Sequence, residues 1–227
     1  MLLIALNALA WSAPLPRLSR RHALALATGA SMPVHAFEPD VMVSPVLTEP
    51  AAAKKLLSLV SGRRPEDWSD AERPEVDALI EELAKAQAPW PRDALRGKWK
   101  LSYLQPGPDG AGVDRRVPFP ELPGNDSFQI FGERSVVNVG ELLGPRLEVR
   151  VSGSLSEDDE ADLVSPKRFR ADINQGRLCA GDGASAPCLP LPISGVGLFD
   201  GVYLDSKLRI GQNLNGGGAR IVQVRVD

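Results

Sequence analysis

Histidine is scarce in this sequence, whose 227 residues include only His22 and His35. Both lie in a segment that we expect to be removed, so the working protein would have no imidazole. This excludes Ser/His/Asp and Cys/His catalysis, histidine metal sites and histidine proton relays. An enzyme built from this chain would have to use carboxylates, lysine, tyrosine or a bound cofactor.

Long apolar runs and a strong net charge are also lacking. The sequence has no run of the roughly 18 consecutive apolar residues that a membrane-spanning helix needs. Its net charge of −3 argues against nucleic acid as a partner, because phosphate binding needs clustered Lys and Arg. The hydrophobic share of 43% is ordinary for a folded protein, and 20 prolines with 21 glycines predict many loops.

Two targeting signals are predicted at the N-terminus. Residues 1–10 form a short apolar run that ends in Ala-Leu-Ala, which is typical of a signal-peptidase site. Arg20 and Arg21 then precede a Gly/Ala-rich apolar segment, a pattern that resembles a twin-arginine export signal. Trp11, which follows the apolar run, resembles the aromatic residue at the cleavage point of the two-part plastid presequences of algae with secondary plastids. Together these features predict entry into a plastid, passage into the thylakoid lumen and removal of residues 1–36. The alternative is an ordinary transit peptide over residues 15–36, with the mature protein in the stroma.

The remaining chain is predicted to hold a lead-in at residues 37–48 and one domain at residues 49–227. Two helices are expected at the start of this domain. Thr48 precedes the run AAAKKLLSLV, and Ser69 with Glu72 has the spacing of a capping box for the second helix. The second helix carries an apolar stripe that we expect to pack on the rest of the fold: Val76, Leu79, Ile80 and Leu83.

From Leu95 onward the apolar period changes from 3.6 residues to 2, which indicates strands. The alternation is clear in residues 97–105, 147–152 and 221–226, and strands with one wet face are antiparallel as a rule. Weaker candidates lie at residues 127–131, 135–140, 163–172, 174–180 and 202–210. The fold class predicted is mainly β: an antiparallel β-barrel of about eight strands, preceded by two N-terminal α-helices.

The order of these features resembles the plastid lipid-associated protein, or fibrillin, family. The segments AAKKLLSLVSG, LRGKWKLSY and GVYLDSKLRIGQNLNGGGARIVQVRV carry the resemblance, which spans about residues 49–227. Its most specific positions are Leu95, Gly97, Trp99 and Tyr103 at the start of the sheet and Tyr203, Leu204, Asp205, Leu208, Arg209 and Ile210 near its end. One departure is visible at Gly211, Gln212 and Asn213, where a basic residue and glycine are expected.

The resemblance implies a lipocalin-like barrel at thylakoids or plastid lipid droplets. It also implies that the protein binds or organises apolar lipids such as carotenoids and prenylquinones. Peripheral association with the thylakoid or droplet surface and a protein partner are compatible with it, and no cofactor or metal is implied.

Gly97 and Trp99 resemble the lipocalin Gly-x-Trp entry, in which the indole closes one barrel end beneath a late arginine. Arg209 is the candidate for that arginine. In a straight strand over residues 202–210, however, Arg209 faces away from the core and pairs with Asp205, so that Arg220 or Arg225 must reach Trp99. We expect these motif residues to stabilise the fold rather than to touch a ligand.

The alternating pattern also predicts which side chains line the interior. Parity alone assigns eight of them as candidate ligand contacts: Trp99, Leu101, Tyr103, Phe128, Ile130, Val149, Val151 and Phe169. The alternative is a core filled by these side chains with no cavity, because small barrels often fill.

Cys179 and Cys188 enclose eight residues. In an oxidising compartment they suit a hairpin disulfide, whereas in a reducing stroma they would remain thiols. We favour the disulfide because of the predicted export signal. A metal site is not expected, because two thiolates without histidine leave the coordination shell unfilled.

Three functions remain open, and the leading one is non-catalytic lipid binding. The second is a structural or docking role beside an enzyme of prenylquinone synthesis. The third is a lipocalin-like enzyme acting on xanthophylls with acids from the run Glu157 to Glu160, which we expect instead to be a solvated loop.

Overall fold

A computed structural model describes residues 49–108, 125–158, 163–181, 186–215 and 217–226. The predicted targeting segment and lead-in lie outside these residues. The described chain is mainly β, with two α-helices before the sheet, as the sequence predicted. None of its helices is long and apolar enough to cross a membrane.

Helix α1 spans Ala51–Val60 and helix α2 spans Arg73–Lys85. The stripe predicted for the second helix is the face that α2 buries. This helix begins later than Ser69, because residues 69–72 form a separate turn whose amide at position 72 donates to the Ser69 carbonyl. Glu72 accepts hydrogen bonds from both the backbone N–H and the hydroxyl of Ser69.

Nine strands follow the helices. They are β1 Gly97–Gln105, β2 Ser127–Phe131, β3 Ser135–Glu141, β4 Glu148–Glu157, β5 Lys167–Cys179, β6 Cys188–Leu191, β7 Gly195–Leu204, β8 Leu208–Asn213 and β9 Arg220–Arg225. Two of the predicted strands, 163–172 and 174–180, are thus one long strand, β5. The predicted strand 202–210 is instead the end of β7, a turn and the start of β8.

All pairings between these strands are antiparallel, and eight of the strands close into a ring. The ring order is β1-β2-β3-β4-β5-β7-β8-β9, closed by the pairing of β9 with β1, and β6 is an extra strand on β5. Neighbours in the ring run up and down in turn. Every strand therefore has one face toward the interior of the ring and one face outward.

Part of the outward face is buried as well. Helices α1 and α2 pack against it through Leu56, Ile80 and Leu83, which meet Ile210 and Val222 of β8 and β9. A second buried cluster fills one end of the interior and is rich in aromatic residues, including Trp90, Trp99, Phe131 and Phe169. The strands under the helices are therefore covered on both faces.

That filled end of the ring, here called the closed end, is sealed by the short 3₁₀ turn Arg92–Leu95. Trp99 is fully buried there, and its indole N–H donates to the Leu95 carbonyl at 2.8 Å. The Arg225 guanidinium lies 4.5 Å from the centre of the Trp99 ring and donates to the carbonyls of Ala94, Arg96 and Ser206. Of the arginines considered from the sequence, Arg225 is thus the one over the tryptophan.

Candidate ligand site inside the ring

Five of the eight predicted lining residues share the interior of the ring. Trp99, Val149, Val151 and Phe169 belong to the buried interior cluster, and Leu101 of β1 is the cross-strand partner of Gln223. All five are at least nine-tenths buried. The alternation of inward and outward side chains predicts these positions correctly, because their strands have no irregularity at these points.

Tyr103 is a correction, because it faces the helices and not the interior. The pairing of β1 with β9 shifts register between Leu101 and Tyr103, which moves the following side chains to the other face. The Tyr103 ring meets Trp68 edge-on with 5.2 Å between centroids, and its hydroxyl donates to Asp77 at 2.7 Å. Burial, followed by the Asp77 carboxylate, raises the pKa of Tyr103.

Phe128 and Ile130 are a second correction. Phe128 pairs with Lys100 and Ile130 with Lys98, so both lie on the outward face of β2. The Lys98 ammonium sits 4.1 Å from the centre of the Phe128 ring and covers part of it. Parity fails here because the residue that faces inward between them, Gln129, is polar.

The motif residues near the end of the chain divide between the two faces. Tyr203 faces the helix cluster and its hydroxyl donates to Asp205 at 2.9 Å, while Leu204 belongs to the interior cluster. Asp205 also accepts the backbone N–H groups of Lys207 and Leu208 in the β7–β8 turn. The expected pair between Asp205 and Arg209 is wrong, since Arg209 lies inside the ring.

Four polar side chains meet in the interior, on β2, β3, β8 and β9. We call them the interior polar cluster: Gln129, Asn138, Arg209 and Gln223. Arg209 Nη1 donates to Gln129 Oε1 at 2.8 Å and to Gln223 Oε1, and Gln129 Nε2 donates to Asn138 Oδ1 at 2.9 Å. The sequence signal for this cluster is weak, because single amides between apolar residues are also typical of a wet strand face.

Aromatic rings and a glycine complete the surroundings of Arg209. The guanidinium carbon lies 4.6 Å from the centre of the Phe131 ring and 5.3 Å from that of Phe199. A Cβ atom at Gly211 would lie 3.0 Å from Arg209 Nη2, so the absence of a side chain there makes room for the guanidinium. Arg209 is 1% exposed and its position is therefore tightly defined.

The charge of Arg209 is not balanced by any carboxylate in the described residues, where the guanidinium forms no ion pair. Burial lowers the pKa of Arg209 to about 9, so the side chain is still cationic at neutral pH. Its hydrogen bonds come from Nη1 alone, and the buried Nε has no partner within the described structure. A buried charge in this state costs several kcal/mol, roughly, unless something else compensates it.

The burial of the inward-facing side chains differs between the two ends of the ring. At the closed end Phe131, Phe169 and Leu204 are almost completely buried. Toward the opposite end, here called the open end, several inward-facing side chains keep part of their surface accessible: Gln129, Leu178, Phe199, Asn213 and Ile221. Arg209 is the second residue of β8 and lies where the filled part gives way to this accessible part.

A separate surface pocket of about 200 Å³ lies beside the closed end. Two pairs of its charged side chains neutralise each other, Arg92 with Glu157 at 2.8 Å and Arg96 with Glu133 at 3.8 Å. Glu157, expected in a solvated loop, is instead only 15% exposed and also meets the buried Lys167 at 3.2 Å. The rest of the acidic run, from position 159, lies outside the described residues.

Cys179 and Cys188 form a disulfide in the structure. They are direct cross-strand partners at the start of the β5–β6 pairing, with Cys179 on β5 and Cys188 on the extra strand β6. Among the residues that the structure covers, no group of three or more His, Cys, Asp or Glu side chains could hold a metal ion.

Comparison of the chain with protein-family models, with curated proteins and with solved structures finds no match in any of the three.

Proposed function

We propose that the protein binds an apolar lipid inside the ring and that the ring acts as a lipocalin-like barrel. The observation that carries this is the accessible half of the interior, where apolar side chains such as Phe199 and Ile221 face inward without being fully covered. Eight-stranded rings of this kind hold one small ligand or fill with side chains. Here the closed end is filled, and in the described residues the accessible inward-facing surface lies toward the open end, beside buried side chains such as Val149.

The resemblance to plastid lipid-associated proteins supplies the wider proposal. A non-catalytic lipid carrier or organiser of carotenoids or prenylquinones would work at thylakoids or plastid lipid droplets, peripherally bound, and in the lumen if the predicted signals are used. The N-terminal residue of the native protein tests the location. Phe37 supports the lumen, whereas a start near Ser19 contradicts it.

A docking role has less support. The large exposed hydrophobic side chains of the described residues come from five separate segments of the chain: Leu143, Leu163, Val164, Leu189, Val196 and Val226. Single exposed hydrophobic side chains are normal for a protein surface. We prefer binding inside the ring, because the fold forms an accessible inward-facing surface there.

Saturable quenching of tryptophan fluorescence by decylplastoquinone, and titration with a fluorescent long-chain acid and its methyl ester, test lipid binding. Val149→Phe adds volume to the interior, and Val137→Phe adds the same volume to the outward face of the neighbouring strand. We expect the first variant to weaken binding and the second to leave it unchanged. If no probe binds, or if both variants bind like the parent protein, the proposal is refuted.

A further inference from the structure

Within the described residues, Arg209 has a free edge formed by its Nε and Nη2 atoms: the buried Nε has no hydrogen-bond partner, and the side-chain hydrogen bonds of Arg209 come from Nη1. These two donors lie on the same side of the planar guanidinium, away from Nη1, which is occupied by Gln129 and Gln223. A carboxylate accepts two parallel N–H bonds from such an edge, and the match gives both strength and orientation. We propose that the free edge of Arg209 binds the carboxylate of a long-chain fatty acid.

The charge of the site supports an anion over a neutral group. Arg209 has no acidic partner among the described side chains, and its known contacts are amide oxygens and the faces of Phe131 and Phe199. Amides and aromatic rings stabilise a cation but do not neutralise it. A carboxylate at the free edge would supply the missing charge and the missing acceptor together.

The position of Arg209 supports a long apolar chain behind the carboxylate. From Arg209 to Asn213, the last residue of β8, the strand rises about 13 Å. The inward-facing surface over this distance includes the accessible side chains Phe199 and Ile221. A fatty acid that enters headgroup first would thus bury its chain in the accessible half and place its carboxylate at the filled half.

This inference rests on the proposed lipid-binding function and narrows it to acids. The probes are cis-parinaric acid, a fluorescent long-chain acid, and its methyl ester, titrated into the full chain at neutral pH. We expect the acid to bind at least about tenfold more tightly than the ester, since charge-assisted hydrogen bonds contribute on this scale. We expect Arg209→Gln to remove this preference by weakening the acid alone.

Arg170→Gln is the matched control, because Arg170 is an exposed arginine of β5 that pairs with Asp172. It changes the net charge equally and should leave both affinities unchanged. Equal binding of acid and ester to the parent protein would overturn the inference while lipid binding stands. Binding of neither the acid nor the ester would overturn the inference, and it would overturn lipid binding as well where decylplastoquinone also fails to bind.

A measurement on the parent protein alone keeps the test decisive if Arg209→Gln does not fold. Bound palmitate labelled with ¹³C at its carboxyl carbon should keep the chemical shift of a carboxylate on acidification to about pH 3.5, below the usual pKa of a carboxyl group, because a guanidinium partner lowers a carboxyl pKa. A bound resonance that titrates like free acid would contradict the assignment. Acetate that competes as strongly as palmitate would contradict the role of the long chain.

Discussion

The disulfide gives the most quantitative stability prediction. It joins Cys179, the last residue of β5, to Cys188, the first residue of β6, with a separation of nine residues. The neighbouring backbone also pairs, because the Ala180 N–H donates to the Pro187 carbonyl at 3.0 Å. Reduction removes the covalent link and leaves every side-chain atom in place, so it isolates the effect of the link itself.

Closing a loop of this length reduces the entropy of the unfolded chain by the equivalent of about 2.5–3 kcal/mol. The free energy of unfolding of small domains is about 5–15 kcal/mol, so the disulfide would account for a large part of it. The double variant Cys179→Ala/Cys188→Ala should lose slightly more than reduction does. Cys179 is fully buried, and replacing it leaves a small void.

The assay is urea unfolding followed by tryptophan fluorescence, for the parent protein with and without a reductant and for the double variant. We expect reduction to lower the free energy of unfolding by about 2.5–3 kcal/mol, which is a midpoint shift of about 1–2 M urea. The variant should not respond to the reductant at all. A parent protein with the same midpoint under both conditions would refute the reasoning.

Three further predictions concern packing and acid stability. Gly201→Ala should lower the melting temperature and cost about 1–3 kcal/mol, because its Cβ would lie 2.1 Å from the Trp90 indole; an unchanged melting curve would contradict this contact. Ile80→Ala should cost about 2–5 kcal/mol in urea unfolding, since Ile80 of α2 is fully buried in the cluster between the helices and the sheet. Arg63 and the Ser69 turn lower the pKa of Glu72 to about 2. The stabilising effect of the Glu72 carboxylate is therefore present at pH values above the usual carboxyl pKa and is lost as the pH falls toward 2. Glu72→Gln should therefore flatten the acid dependence of thermal melting monitored by circular dichroism, and an unchanged dependence would show that this carboxylate is not coupled to folding.

The helices and the strand period could be predicted from sequence because each depends on local order. The stripe Val76, Leu79, Ile80 and Leu83 repeats at helical spacing, and one helix face buries all four. The alternation of β1 likewise identifies a strand. Which side chains of a strand face inward depends on partners that are distant in sequence. The alternation of apolar and polar residues does not identify those partners.

Two positions show why the face on which a strand side chain lies is harder to predict than the strand itself. The register shift after Leu101 turns Tyr103 toward the helices, and nothing in the sequence GKWKLSYLQ marks that shift. In β2, Phe128 and Ile130 are more apolar than Gln129, yet Gln129 faces inward because it accepts a hydrogen bond from Arg209. A polar group inside the ring reverses the usual parity rule, and its partner lies about 80 residues away.

The two arginines inside the same ring separate structure from function. Arg225 lies over Trp99 and donates to three backbone carbonyls at the closed end, which is the stabilising role that the sequence first suggested for Arg209. Since Arg225 already covers Trp99 and closes that end of the ring, this structural role does not explain why the guanidinium of Arg209 is buried farther inside. Among the described residues, the edge of Arg209 formed by Nε and Nη2 has no hydrogen-bond partner; it lies beside the accessible part of the interior, and Gly211 leaves room for the guanidinium. A ligand carboxylate accounts for the charge, the free edge and the position together, whereas a purely structural arginine accounts only for the bonds of Nη1.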